Sequence, residues 1–471
     1  MENNNSSKDK INLQRPSGTV DYLPEEMALR RWVESKLVEL FEKYGYQQIE
    51  LPMYEFFDIY KKRSGEKIIN DIFTFYDPPK HRAEENPPLY ALRPEFTASL
   101  VRFFITSELM YRPKPQKYYY IGPCFRYDEP APGRFRQFTQ AGIEIFGSDK
   151  VGADAEMLLV AMDIMRTFKI EDYILRINDL TVLRTFLNER EVSHSTQKNI
   201  FGIIDRITSL LRKLEIGALE EEQNRDTILE DYRGSIAEEN ISAELSQRLE
   251  LLLDMVGPAD KVINQLNNAF SDYPNTLKAI EDSKISHITP FLQAAGIENF
   301  VVDCGIARGL DYYTNLVFEI DVPILGKQKQ ICGGGRYNEM IRVFGGEDTP
   351  ALGFSFGFDR ILLALEKQNK LPSIKPRSQV FIGTKLETQT FGIQIAQKLR
   401  ENGISTEVDL MSRSFRAASK FVNRLEIPFM IFLGPRELET QKFTLKNFIT
   451  EKQERELNLE EVIQIIKKSA K

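Results

Sequence analysis

The apolar positions Leu29, Trp32, Val33, Leu37, Leu40, Phe41 and Tyr44 recur in steps of three and four, which predicts a helix over 25–44. Pro24 before it, Glu25 and Glu26 in its first turn and Gly45 after it suit its two ends. A short strand, Gln48–Leu51, is then closed by Pro52. From Lys117 to Phe146 the pattern changes to strand, short loop, strand, with a loop rich in turn residues at 128–133. Period two along the second strand places Arg134, Arg136, Phe138, Gln140, Gly142 and Glu144 on one face, and mostly apolar residues on the other. A solvated sheet face would explain that polar row, and so would a sheet that binds a polar ligand.

Residues from about 180 to 285 return to helical spacing, rich in Leu, Glu, Lys and Arg, and read as a helical insertion. Strand chemistry resumes at Phe300–Cys304, and a polar, proline-bearing linker at 368–377 precedes the tail. There, strands at Val380–Gly383 and Met430–Gly434 alternate with helices at Thr390–Asn402 and Arg416–Leu425, the rhythm of a small α/β domain.

At 471 residues the chain is long enough for two to four domains. No apolar run approaches the ~20 residues of a membrane helix, and the polar start, residues 1–10, reads as a disordered lead-in of a cytoplasmic protein. Cys124, Cys304 and Cys332 form neither a disulfide framework nor a CxxC pair, and His81, His194 and His287 lack ligand spacing, so no dedicated protein metal site is expected. The net charge of −7 is uneven: residues 378–471 hold 15 Lys and Arg against 12 Asp and Glu, +3 beside −10 for the rest. That asymmetry is compatible with RNA binding by the tail, though a solvated surface explains it equally well.

Three patches carry chemistry. In Leu92-Arg-Pro-Glu-Phe-Thr97 a carboxylate and a hydroxyl stand where a helix begins, and simple capping with Thr97 as N-cap would account for them. Arg126, its loop and Arg134 suit bidentate contact with phosphate. In the run to Asp359-Arg360, the small residues Ala351, Gly353, Ser355 and Gly357 alternate with Leu352, Phe354, Phe356 and Phe358. On a strand this makes a nearly bare face where a flat ligand could approach the backbone, or where a helix could pack closely.

These stretches resemble the class II aminoacyl-tRNA synthetases. Gly45–Pro52 is similar to their motif 1, Arg126 with its loop to motif 2, and Gly357-Phe-Asp-Arg360 to motif 3. Arg308-Gly-Leu-Asp-Tyr-Tyr-Thr314 with Val317-Phe-Glu319, Cys332–Tyr337 and Gly18–Pro24 resemble blocks of the histidyl-tRNA synthetase family, and the likeness runs from about Arg15 to the C-terminus. The class I HIGH and KMSKS sequences and the P-loop are absent from the sequence.

The resemblance implies an α/β protein with an α+β catalytic core, an antiparallel sheet flanked by helices, over 11–178 and 296–367. It also implies a helical insertion over 179–295 and an α/β anticodon-binding domain over 378–471. It implies that histidine and ATP form histidyl-adenylate and that the histidyl group passes to tRNA(His). Arg126 and Arg308 would hold the α-phosphate from opposite sides. Arg134 and Asp128 would belong to the ATP site, and Arg360 would lie over the adenine. Glu95 and Thr97, with Phe96 between them and help from Gln140, would hold the histidine ammonium, while Glu144, Tyr313 and Tyr312 would form the imidazole pocket. ATP with its Mg²⁺ would be substrate, no prosthetic group is implied, and the partners would be tRNA(His), L-histidine, ATP and a second copy in a homodimer, with no membrane. The helix over 25–44 could serve that dimer or the core. Two departures stand out: Asn315 where glycine or another turn-tolerant residue is usual, and Phe96 where many members have glycine. The loop at 129–133 is also less basic than bacterial members favour. The main rival is a non-catalytic paralogue, the regulatory subunit of ATP phosphoribosyltransferase, which usually lacks the tail domain and erodes the motif arginines; an RNA-binding scaffold is a third reading.

Overall fold

The computed structural model describes residues 12–61, 69–78, 87–129, 131–215, 217, 224–307, 312–373 and 378–469. The expected lead-in over 1–10 lies outside them. The chain forms two compact units, divided between Pro372 and Ser373.

The first unit is built on a nine-stranded sheet. Its strands are β1 (Gln47–Gln48), β5 (Gln116–Phe125), β6 (Gln137–Phe146), β7 (Ile174–Asp179), β8 (Val256–Gly257), β9 (Phe300–Asp303), β10 (Leu316–Asp321), β11 (Gln330–Arg336) and β12 (Ala351–Gly357). A small second sheet holds β2 (Tyr54–Phe56), β3 (Thr74–Phe75) and β4 (Tyr90–Leu92). The large sheet runs β1-β5-β6-β12-β11-β10-β7-β9-β8, antiparallel except where β1 meets β5 and β7 meets β9. Its middle therefore joins β6 to β12, strands about 200 residues apart in the chain, with Glu144 opposite Gly353 and Gln140 opposite Gly357.

Helix Pro24–Lys43 forms as its sequence predicts. Pro24 occupies its first turn, and the Glu26 carboxylate accepts the Leu23 N–H at 2.6 Å. Val33, Leu37 and Phe41 are buried in the core of this same chain, each worth about 2 kcal/mol of burial. Three of the seven stripe positions thus lie in the core, while Leu29, Trp32, Leu40 and Tyr44 are half-buried. Helix Val151–Thr167 is fastened to the sheet by Arg336, whose guanidinium grips Asp154 (2.5 and 2.9 Å) and donates to the Ser148 carbonyl.

Two expected strands are shorter than read. Pairing of the first stops near Ile49 because the Leu51 and Pro52 carbonyls are taken by the buried Arg93 guanidinium. The strand expected from Arg134 begins at Gln137: the loop closes on itself at Ala131 and Arg134, and the Arg136 N–H donates to the Gly18 carbonyl. Among the described residues between Asp179 and Phe300, β8 is the one strand and the rest are helices and their connections; helix His194–Glu215 turns Ile200, Ile204, Ile207 and Leu211 inward. Among the described residues no helix is long and apolar enough to cross a membrane.

The second unit has a five-stranded sheet of β13 (Val380–Thr384), β14 (Thr406–Val408), β15 (Phe429–Leu433), β16 (Phe443–Asn447) and β17 (Gln453–Leu457), ordered β14-β13-β15-β16-β17. The first three are parallel, as crossover helices Gln389–Glu401 and Phe415–Arg424 require, and the last two are antiparallel.

Candidate active site

A cavity of about 520 Å³ in the first unit is floored by one face of β6 and β12. Gln140 and Glu144 project from β6, and Gly353, Ser355 and Gly357 lie beside them on β12. Glu95, Thr97, Tyr120, Tyr312, Tyr313 and Tyr337 line it around Glu144; Arg126, Asp128, Arg134, Phe138 and Arg360 line it around Gly357.

The Glu144 carboxylate is wholly buried. One oxygen accepts the Tyr337 hydroxyl at 2.5 Å, and the other accepts Thr97 at 3.3 Å and Tyr120 at 3.4 Å. Burial pushes its pKa up to about 8, against the pull of the Tyr337 phenol, and the neighbouring Glu95 raises it further. Glycine at 353 is what makes room for it: a Cβ there would stand 1.6 Å from the carboxylate. At Gly353 the bare face of β12 is therefore filled by Glu144 from the neighbouring strand, while Ser355 and Gly357 remain in the cavity lining. On the neighbouring strand a Cβ at Gly335 would meet the Leu316 carbonyl at 2.5 Å and the Tyr313 ring at 2.9 Å.

Glu95 is buried too, and burial raises its pKa. Its carboxylate accepts the Thr97 N–H and, at 3.0 Å, the Ala98 N–H, so it caps helix Thr97–Thr106 from two residues upstream. The cap expected on Thr97 is thus Glu95, which frees the Thr97 hydroxyl to donate to Glu144. Phe96 is placed behind the lining: its ring stacks on Tyr120 at 4.0 Å, with the Arg93 guanidinium over its other face at 4.0 Å. Its φ of −93° needs no glycine. Asn315 likewise is not left-handed; its amide donates to Thr181 at 2.9 Å and its oxygen accepts from Asn338, tying the signature to helix Leu180–Glu189.

At the cationic end the Arg126 guanidinium donates to the Pro94 carbonyl at 3.0 Å and lies 5.5 Å from the Phe138 ring centre, while its Nε is buried without an acceptor among the described residues. Arg134 pairs with Asp128 at 2.5 Å. Arg360 donates to the Gln330 carbonyl, and burial, then Arg134, with Arg126 adding less, push its pKa down to about 10. Three cations facing one space hold a standing preference for a polyanion. Arg136, expected on the same face, instead stacks on Tyr127 at 3.8 Å. Arg308 lies outside the described residues.

Phe138 lines the cavity from the face that period two gave it, while three other side chains had no role in the sequence reading. Tyr337 and Tyr120 line the cavity, and Asp359 joins Arg30 at 2.5 Å, Tyr22 and the Thr139 N–H, tying the N-terminal segment to β6. Sequence also could not show the buried ion network on the third side. Arg212, from the helical segment, donates to Asp303 at 2.7 Å and Glu319 at 3.0 Å; Arg176 reaches Asp303 and Asp321, and Lys329 lies 3.5 Å from Asp321. Removing one partner would strand a buried charge, at about 3–5 kcal/mol. Cys124, Cys304 and Cys332 are buried and free, and among the described residues no cluster of three or more His, Cys, Asp or Glu is placed to hold a metal ion.

With this geometry in place, comparison with known proteins is specific. The histidyl-tRNA synthetase family model matches residues 18–361, and an anticodon binding domain model matches 379–469. A histidine–tRNA ligase from Thermococcus kodakarensis is 34% identical over 96% of this chain and 99% of its own length; one from Methanocaldococcus jannaschii is 36% identical over 94% and 97%. A crystal structure of histidyl-tRNA synthetase from Nostoc has the same fold, with a TM-score of 0.74 at 24% identity over 98% of this chain and all of that one.

Proposed function

Because the chain belongs to the histidyl-tRNA synthetase family, we infer that its cavity is where histidine is activated with ATP before transfer to tRNA. A histidine carboxylate oxygen attacks the α-phosphorus, the bond to the leaving oxygen breaks, and pyrophosphate departs with that electron pair. A ribose hydroxyl at the tRNA 3′ end then attacks the acyl carbon, and AMP leaves. No protein nucleophile is needed; the work is positioning and charge stabilisation.

The observation that carries the assignment is the buried Glu144 carboxylate over Gly353, with Tyr337, Tyr120 and Thr97 already turned toward it. A second buried carboxylate, Glu95, shares the space. Two acids in one pocket favour a ligand that brings two sets of N–H donors, an ammonium and an imidazole. In this reading Glu95 and Thr97 take the ammonium, Glu144 and Tyr313 read the imidazole, and Tyr312 and Tyr337 shape its walls. Arg126 holds the α-phosphate, Arg134 and Asp128 meet the outer phosphates, and Arg360 with Phe138 brackets the adenine. Arg308 keeps the phosphate role that the family likeness implies. Mg²⁺ arrives with ATP as part of the substrate.

Residues 378–471 are read as the anticodon-binding unit, 179–295 as an insertion that helps wall the cavity through Arg212, and the working protein as a cytoplasmic homodimer. The regulatory-subunit reading has less behind it: Arg126 and Arg360 both face the cavity, and the tail unit is present. Charging of a tRNA(His) transcript with labelled histidine tests the proposal. Ester formation that needs ATP and histidine is expected; a purified, folded protein that leaves the transcript uncharged would overturn it.

A further inference from the structure

Cys124 lies on β5, wholly buried, one strand away from Gln140. Its thiol donates to Gln140 Oε1 at 3.3 Å. The thiol stays protonated at neutral pH, because burial pushes its pKa up to about 12, and so it remains a donor. Gln140 itself lines the cavity. A carboxamide has one accepting end and one donating end, and the two are interchanged by a half-turn about the last bond. With the oxygen held by Cys124, the NH₂ is the end left for the ligand.

We propose that Cys124 is a positioning residue that fixes the Gln140 carboxamide with its N–H groups toward the substrate, so that Gln140 serves the carboxylate of histidine and the acyl oxygen of the adenylate. This revises the expectation that Gln140 helps to hold the ammonium, and it rests on the reading of this end of the cavity as the histidine site. The ammonium has Glu95 for a partner. The histidine carboxylate, by contrast, enters a space with two buried carboxylates and needs a donor. A turned carboxamide would set oxygen against oxygen there. Cys124 acts only through Gln140, since its own Sγ is directed at the amide and shielded from the cavity lining.

The test is histidine-dependent exchange of pyrophosphate into ATP in the full-length protein, measured for Cys124→Ala, Cys124→Ser, Gln140→Ala and the double variant Cys124→Ala/Gln140→Ala. Cys124→Ala is expected to lower kcat/KM for histidine about fivefold with KM for ATP unchanged, the scale of one lost hydrogen bond. Cys124→Ser, which still donates, should recover most of it. In the Gln140→Ala background Cys124→Ala should cost nothing further, because the group it positions is gone. Costs that multiply in the double variant, or a serine variant as impaired as the alanine one, would overturn the positioning role and leave the histidine site standing. Full activity in Gln140→Ala would overturn both.

Discussion

At one end of the cavity two carboxylates, Glu95 and Glu144, lie buried among hydroxyls and backbone N–H groups that donate to them; at the other, Arg126, Arg134 and Arg360 line one space, with Asp128 paired to Arg134. The acidic end is held mainly by strands and a helix start, the cationic end to some extent by the loop between β5 and β6. The two ends do different work. Telling one amino acid from another requires rigid, oriented acceptors, whereas stabilising a polyphosphate requires concentrated charge that is unfavourable until the anion arrives.

If the acidic end sets specificity, Glu144→Gln gives the largest effect. Loss in kcat/KM for histidine on the order of 10³-fold is expected from steady-state exchange kinetics, with KM for ATP nearly unchanged. Next comes Arg126→Ala at the other end, a drop of about 10²–10³-fold in kcat that leaves KM for histidine alone. Equal losses in both parameters for both variants would erase the distinction between the ends.

Gly353→Ala separates placement from charge. The added methyl meets the Glu144 carboxylate at 1.6 Å and the Ile143 carbonyl at 2.4 Å, so the carboxylate and the strand edge beside it must both give way, and a shift of about 1 Å at a reacting site can cost 10²-fold. Thermal unfolding should show the variant folded while histidine affinity, read by calorimetry, falls. Retained affinity would mean that Glu144 does not need its present position.

Those three residues also mark how far the sequence could be read. Period two along 138–144 correctly put Gln140 and Glu144 on one face, because alternation is a local property of a strand. It could not say that Gly353, some 210 positions later, lies opposite Glu144, since strand order is a tertiary fact. The small residues of β12 were legible as a bare face, but not the carboxylate that fills it. Likewise Arg-Pro-Glu-Phe-Thr was legible as a helix start, yet the cap is Glu95 rather than Thr97, because the carboxylate reaches the N–H groups that the hydroxyl leaves to it. Tyr337 and the Arg212 network depend on contacts between distant segments and left no periodic trace. The departures at Phe96 and Asn315 look like anomalies in a motif, but both have ordinary backbone conformations and defined partners.

A milder effect concerns pH. The free imidazole titrates near ~6.5, and Glu144 near about 8. Between those values the unbound pair carries one titratable proton, the number held by an imidazolium–carboxylate pair in which both ring N–H groups donate. Below ~6.5 a proton must be shed on binding, and above about 8 one must be gained. The profile of kcat/KM for histidine should therefore rise through the lower value and fall beyond the upper, and Glu144→Gln should lose the limb near 8. The same raised pKa acts on stability: the contribution of the protonated carboxyl is full below its ordinary value of 4.5 and is lost as pH rises through about 8. An alkaline limb unchanged in Glu144→Gln would assign it to another group.

The smallest expected effect on activation is that of removing the second unit. A truncation ending at Leu371 keeps every lining residue of the cavity, so exchange should persist within about twofold, provided its oligomeric state matches the intact protein. Charging should fall, mainly through KM for tRNA, and an unchanged KM would remove the case for anticodon contact.

The most direct measurement is pyrophosphate exchange into ATP across a panel of the twenty amino acids, run on the intact protein and on Glu144→Gln. The account predicts exchange with histidine alone in the intact protein, and collapse of that exchange in the variant. Strong exchange with another amino acid, or histidine-dependent exchange that survives Glu144→Gln at its full rate, would contradict it.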